Sequence, residues 1–311
     1  MKDIVIALGG GGMKGIAHAG VLRRLVKEGY NIKAISGTSV GGLIGAAFAA
    51  GHSPEEIENY LNKINQTSLF ARGKSDGPAL MGLQGVTEAL LDLVGNCTFE
   101  QLTIPFAVTA VDLDHGEEVI LSTGSVMDAV LATIAVPGIF PPRKIGNCTL
   151  VDGGVLDPVP VALARWLKPG YPIIAVCLST EPTEWKHLKA PGLPIHAPVP
   201  PSILEQFSRM RLAQAFQIFT HSLDITTRML AELRMQIDQP DVIIRPNVDR
   251  FGMFDLANPA ELILEGDMAA LNRMPALKQA ENWQNSLSRR FKRTRLHGRV
   301  LTERNWNPEG E

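Results

Sequence analysis

The amino-acid sequence predicts an α/β fold with a mainly parallel sheet flanked by helices. Three observations carry that expectation. Aliphatic, β-branched runs alternate with segments of helical periodicity, and two of those runs end in glycine-packed turns that open helices. With 45% hydrophobic residues in a chain of 311, there is enough apolar side chain for a full core. The formal net charge of −2 lacks the global basicity of a dedicated nucleic-acid binder, so no nucleic acid is expected as a partner.

The elements follow in order. "DIVIAL" is a continuous aliphatic run ending at glycine, the pattern of a buried parallel strand. From Lys14 to Glu28, Ile16, Ala19, Leu22, Leu25 and Val26 fall at helical spacing and Gly29 closes the helix. "IKAIS", "GTSVGG" and an alanine-rich helix to Gly51 repeat the strand, turn and helix, and Ser53-Pro54-Glu55-Glu56 caps the next helix. "IPFAVTAVD" and "EEVILS" form a hairpin across "LDHG", an antiparallel excursion, and "YPIIAVCLS" and "DVIIRP" supply later strands.

Beyond about residue 180 the texture changes. "APGLPIHAPVPP" predicts an extended loop, followed by a long helix from Ile203 to about Ile237. Leu212, Phe216, Phe219, Leu223, Leu230, Leu233 and Ile237 share one face, which is expected to pack on the core; a lid over a lipid site is the second reading. Residues 286–311 are basic until an acidic tip. They are expected to form a solvated tail, with contact to an anionic membrane surface as the alternative. Cys97, Cys148 and Cys177 show neither disulfide nor zinc spacing, and no apolar run is long enough to span a bilayer. The expected setting is a reducing, cytoplasmic one, with peripheral membrane contact as a further option.

Two glycine-rich turns carry the chemistry. "GGGGMKG" contains Gly10-x-Gly12-x-x-Gly15, which formally satisfies a dinucleotide fingerprint. That fingerprint needs an acidic residue at the end of the second strand to hold a ribose. The chain has "IKAISGTS" there instead. "GTSVG", Gly37 to Gly41, matches the G-x-S-x-G turn that presents a nucleophilic serine between a strand and a helix, here Ser39. The backbone N–H groups of Gly10, Gly11 and Gly12 can then face the oxyanion of an acyl-transfer reaction, because only residues without Cβ let a backbone come so close.

A base is required. His187, His196, His221 and His297 stand in settings that do not suit catalysis, and His18 reads as a histidine satisfied by local hydrogen bonds. Asp152, in "LVDGG", follows a short strand and precedes Gly153 and Gly154, so it can project from a strand end. Asp112 and Asp114 are rivals whose "DLDHG" context reads as turn chemistry. A carboxylate is a weak base toward a hydroxyl, so this reading also demands a site shielded from water.

Taken together, "GGGGMKG", "GTSVG" and "DGG", in that order, resemble the patatin-like phospholipases of bacteria. Further similarity runs through "GIAHAGVLRRL", "AVPGIFPPR", "DVIIRP" and "GMFDLANPAELILEGDMAA". The resemblance implies a three-layer, patatin-like α/β fold, with one catalytic domain over residues 3–272, a motif-bearing core over about 4–165 and a helical, lid-like region over 181–240. It also implies a Ser39–Asp152 dyad, an oxyanion hole at Gly10 to Gly12, supporting roles for Lys14, Gly15, Gly37, Gly41, Gly153 and Gly154, and no metal or organic cofactor. Lys14 stands where the family usually has arginine, keeping the charge but losing the planar fork. The implied activity is lipid acyl hydrolysis on a lipid or small ester. A transacylase using the same acyl-serine, a non-catalytic regulatory protein and, third, a dinucleotide-dependent enzyme are the alternatives. Substrate identity and oligomeric state are not legible.

Overall fold

The computed structural model describes residues 2–73, 79–182, 203–281, 289 and 296–302, with the backbone alone described over 203–217. The proline-rich stretch 190–201, His187, His196 and most of 286–311 lie outside the described residues. Among the described residues nine strands form one mixed sheet whose main path runs β5-β6-β3-β2-β1-β7-β8. The strands are β1 (Lys2–Leu8), β2 (Tyr30–Gly37), β3 (Phe106–Asp112), β4 (Glu117–Leu121), β5 (Arg143–Ile145), β6 (Cys148–Asp152), β7 (Ile173–Val176), β8 (Val242–Ile244) and β9 (Arg299–Leu301). Strands β3, β2, β1, β7 and β8 are mutually parallel, as their unbroken aliphatic runs require, because both faces of such strands are covered.

Helices cover both faces. On one side α1 (Ala17–Lys27), α2 (Val40–Ala49), α3 (Pro54–Lys63), α4 (Gln84–Leu93), α5 (Val126–Thr133) and α8 (Pro259–Asn272) enclose the larger core around Ile4, Ile6, Leu8, Leu22 and Ile35. On the other side α6 (Val161–Leu167) and α7 (Ile203–Asp238) pack over Val5, Ala7 and Ala175. A short α9 (Met274–Ala280) completes the set. Local chemistry sets the ends. Ser53 closes a reciprocal capping box with Glu56 at the start of α3, and Asn258 caps α8 with a proline in the first turn.

Strand β3 is the template that assembles the site. β2 runs parallel to its first half, with Gly37 opposite Val108, while β6 runs antiparallel to its second half, with Asp152 opposite Ala110. The carboxyl ends of β2 and β6 therefore meet head-on along one edge of β3. The residues leaving those ends, Thr38-Ser39 and Asp152-Gly153, meet beside Thr109.

Two expectations are corrected here. The face of α7 read as core-facing is turned outward at Phe219, Leu233 and Ile237; the helix instead presents Arg228, Ala231, Met235 and Asp238 to the protein. Leu212 and Phe216 lie where only backbone is described. Within the stretch read as a solvated tail, residues 299–301 form β9, which pairs in parallel with β4 and buries Leu301.

Candidate active site

Ser39 occupies the sharp turn between β2 and α2 with φ 54° and ψ −129°, a conformation an L-residue adopts only under constraint. The constraint is visible in its surroundings. Its N–H donates to Thr133 Oγ1 at 2.9 Å, and Thr38 N–H donates to the Leu8 carbonyl at 3.0 Å. The Thr38 hydroxyl donates to the Asp157 carbonyl at 2.8 Å and lies 2.9 Å from Thr109 Oγ1, which leaves Thr109 as the donor of that second bond. Glycines at 37 and 41 are obligatory by contact: a Cβ on Gly37 would come within 2.5 Å of Gly42 Cα, and one on Gly41 within 2.2 Å of the Leu8 carbonyl oxygen.

Asp152 ends β6 with its N–H bonded to the Ala135 carbonyl at 2.9 Å. One carboxylate oxygen accepts the Gly154 N–H at 2.7 Å, and Ser39 lines the same pocket. Burial pushes the pKa of Asp152 up to about 6, against the opposing pull of the Ser39 side chain and the Gly154 N–H. Gly153 is the residue that lets the chain turn here, since a Cβ would meet the Thr109 side chain and carbonyl at 2.3 and 2.4 Å. The structure thus joins the two residues that the sequence reading paired.

The glycine run lies directly against the serine: a Cβ on Gly10 would stand 3.2 Å from Ser39 Cβ. Gly10 itself is a correction to the expected oxyanion trio. Its N–H is spent on the Pro158 carbonyl at 3.0 Å, so it shapes the loop and does not offer a donor. Among the described residues, the backbone bonds of the turns engage neither the Gly11 nor the Gly12 N–H. Gly12 has φ 60° and a Cβ there would fall 2.2 Å from the Met253 oxygen, which excludes any side chain. Gly15 lets the start of α1 approach α2, its virtual Cβ 2.2 Å from Val40 Cγ1.

His18 is buried behind this loop, Nε2 donating to the Gly9 carbonyl at 2.8 Å. Burial lowers its pKa to about 4, so it is neutral and holds the loop in place. Asp112 lies in the β3–β4 hairpin, accepting from the Asp114 N–H and from His115, as its turn context predicts. Lys14 is buried, its Nζ 4.0 Å from carboxylate oxygens of both Asp224 and Asp249, and burial lowers its pKa. Arg228 pairs with the same two carboxylates. Lys14 thus ties the glycine-rich loop to α7.

The pocket over Ser39 is lined by Leu61, Val86 and Leu93 of α3 and α4, and by Phe70, Phe140 and Phe254, whose rings meet at centroid distances of 5.2 to 6.0 Å. Sequence reading missed Thr133, Thr109 and the Asp224–Arg228–Asp249 partners of Lys14. Their role is set by contacts between distant segments, and no local pattern marks them.

A serine held at a strained strand-to-helix turn, beside a strand-borne carboxylate and on a mostly parallel sheet flanked by helices, defines an α/β class with a serine-bearing turn at its centre. Within that class the chain belongs to the patatin-like phospholipase family, whose model matches residues 6–165. It is 34% identical over 161 residues to an uncharacterized NTE family protein of Mycobacterium tuberculosis, covering 51% of this chain and 44% of that one. It is 28% identical over 166 residues to Lysophospholipase NTE1 of Meyerozyma guilliermondii, covering 52% of this chain and 12% of that one. The chain therefore spans less than half the length of these curated relatives. Among solved structures, VipD from Legionella pneumophila shares the fold, with a TM-score of 0.52 and 13% identity over 89% of this chain and 66% of that one.

Proposed function

We propose that this protein is a serine esterase of the lipid acyl hydrolase type, a phospholipase A or lysophospholipase, cleaving carboxylic esters through an acyl-Ser39 intermediate with Asp152 as base. The observation that carries this reading is the meeting of Ser39, at its strained turn, with the buried Asp152 in one apolar pocket whose described lining contains no histidine. A carboxylate raised to about 6 is ionised at neutral pH and is a stronger base than an exposed aspartate.

In the proposed reaction Ser39 Oγ attacks the ester carbonyl carbon while its proton passes to Asp152. The oxyanion of the tetrahedral intermediate is met by the N–H groups of Gly11 and Gly12 and by the amino end of α2. Collapse expels the alcohol, which takes the proton from Asp152. Water then gives a proton to Asp152 and attacks the acyl-serine, and the carboxylic acid leaves as Ser39 recovers its proton. Family membership supports a lipid ester, and the name of the yeast relative supports lysophospholipid among the substrates.

The test is intact-protein mass spectrometry after exposure to a fluorophosphonate ester. The expected result is one adduct, mapped to Ser39, absent in Ser39→Ala and at least a hundredfold slower in Asp152→Asn. Full esterase turnover by a clean Ser39→Ala preparation would sink the reading.

A further inference from the structure

The segment of α7 from Ile218 to Asp238 is amphipathic in an inverted sense. Its five charged residues all turn toward the protein and are paired there. Asp224 and Arg228 bind each other and Arg228 binds Asp249; Glu232 meets Arg245, Arg234 meets Glu118, and Asp238 meets His297. The outward face carries Ile218, Phe219, Ile225, Met229, Leu233 and Ile237, each 45% to 68% exposed, interrupted only by Ser222, Thr226 and Gln236. No charged side chain stands on it.

A contiguous apolar face of this kind marks an interaction surface, whereas scattered exposed aliphatics do not. Its position says which kind. The opposite face of the same helix, at Leu223, Thr227 and Ala231, lines the pocket over Ser39. Phe219 reaches the loop carrying Pro137 and Phe140, approaching the virtual Cβ of Gly138 at 3.9 Å. Leu80, next to Met81 on that same loop's hydrogen bond from Met81 N–H to the Ile139 carbonyl, is 60% exposed, and Leu256, two residues past the pocket-lining Phe254, is 64% exposed. Through Phe219 the apolar face reaches the loop that flanks the pocket.

A helix lying in an interface normally adds lysine or arginine on its polar side to meet anionic headgroups, whereas over Ile218 to Asp238 every charge of α7 is committed inward. At the same time no described helix is long and apolar enough to cross a membrane. We propose that the outward face of α7, with Leu80 and Leu256, seats the protein on the surface of a zwitterionic phospholipid bilayer and aligns the pocket with ester carbonyls. This inference rests on the lipid-ester reading above and names the surface through which such a substrate is met.

The test is flotation of the full chain with phosphatidylcholine vesicles, carried out on the Ser39→Ala background so that binding is read without turnover. A double substitution, Ile225→Glu with Met229→Glu, is expected to lower vesicle binding at least tenfold. Raising the salt from 50 to 500 mM is expected to change binding of the parent less than twofold. Hydrolysis of a monomeric short-chain ester by the same double variant with Ser39 intact should match wild type, since neither residue lines the pocket. Met229→Trp provides a milder second probe, whose indole emission is expected to shift to the blue on adding vesicles. Three results would overturn the proposal: unchanged vesicle binding by the charged variant, no flotation or blue shift with vesicles, or a lipid-free dimer that the charged variant converts to monomer. Loss of short-ester hydrolysis in wild type would instead strike at the catalytic reading, leaving vesicle binding to stand or fall separately.

Discussion

Asp152 must satisfy two opposed demands. To act as base in the proposed reaction it has to be ionised, and as part of an apolar pocket it is removed from water, which raises its pKa to about 6. The unfolded chain ionises the same carboxyl near 3.8. Below that value the residue is protonated in both states and costs nothing. Between 3.8 and about 6 the unfolded chain has released the proton that the folded protein still holds, so stability falls across that window, by about 3 kcal/mol at most for a shift of this size, and then levels off. Asp152→Asn is therefore expected to be more stable than wild type by about 1–3 kcal/mol at pH 8 and no more stable at pH 4, while losing activity. Urea unfolding at the two pH values measures this. His18, lowered to about 4, acts in the opposite sense and destabilises the fold as pH falls, but it is common to both proteins and cancels in the difference. An equal gap at both pH values would contradict the account.

At the scale of elements, the glycine-rich loop after β1 is positioned by how α1 lies on α8. The two helices touch backbone to backbone: a Cβ on Gly20 would fall 1.8 Å from the Ile263 oxygen, and one on Gly266 would fall 1.9 Å from the Ala17 oxygen. Arg23 and Arg24 of α1 then reach Asp267 of α8, which is buried and holds both guanidinium groups. A methyl group at position 266 has nowhere to go, so the helices must separate, and the loop leading into α1 moves with them. Gly266→Ala is expected to cost about 1–3 kcal/mol or more and to slow fluorophosphonate labelling of Ser39. Gly95→Ala is the control. Gly95 has φ 65° but open space around its virtual Cβ, so it carries only a backbone penalty of about 1 kcal/mol and leaves labelling unchanged.

Across the whole molecule, the sheet is completed by residues far along the chain. β9 extends the edge beyond β4, and its Arg299 reaches Asp112 while His297 reaches Asp238 at the end of α7. These contacts link the last described segment to both layers of the fold. Truncation after residue 295 exposes the edge of β4 and leaves Asp238 without its histidine. Calorimetry is expected to report a melting temperature lower by roughly 2 °C or more, which for a chain of this size corresponds to about 1 kcal/mol. An unchanged melting temperature would restore the reading of this stretch as a solvated tail.

What the sequence by itself determined is whatever depends on neighbours along the chain. Aliphatic runs and helical spacing mark β1, β2, α1 and α2, and the glycines around Ser39 and after Asp152 mark turns where a side chain cannot fit. The positions of Ser39 and Asp152 at strand ends were legible for that reason, because each residue sits in its own local pattern. The tertiary structure alone decided how those patterns meet. β2 and β6 are brought to one edge of β3 by register, Thr133 at the end of α5 accepts the Ser39 N–H, and Gly10 gives its N–H to Pro158 instead of to a substrate. The reversal of α7 has the same origin. Both faces of that helix carry apolar residues, so periodicity could not say which one turns inward; the choice falls to Asp249, Arg245 and Glu118, distant partners that draw the charges of α7 into ion pairs.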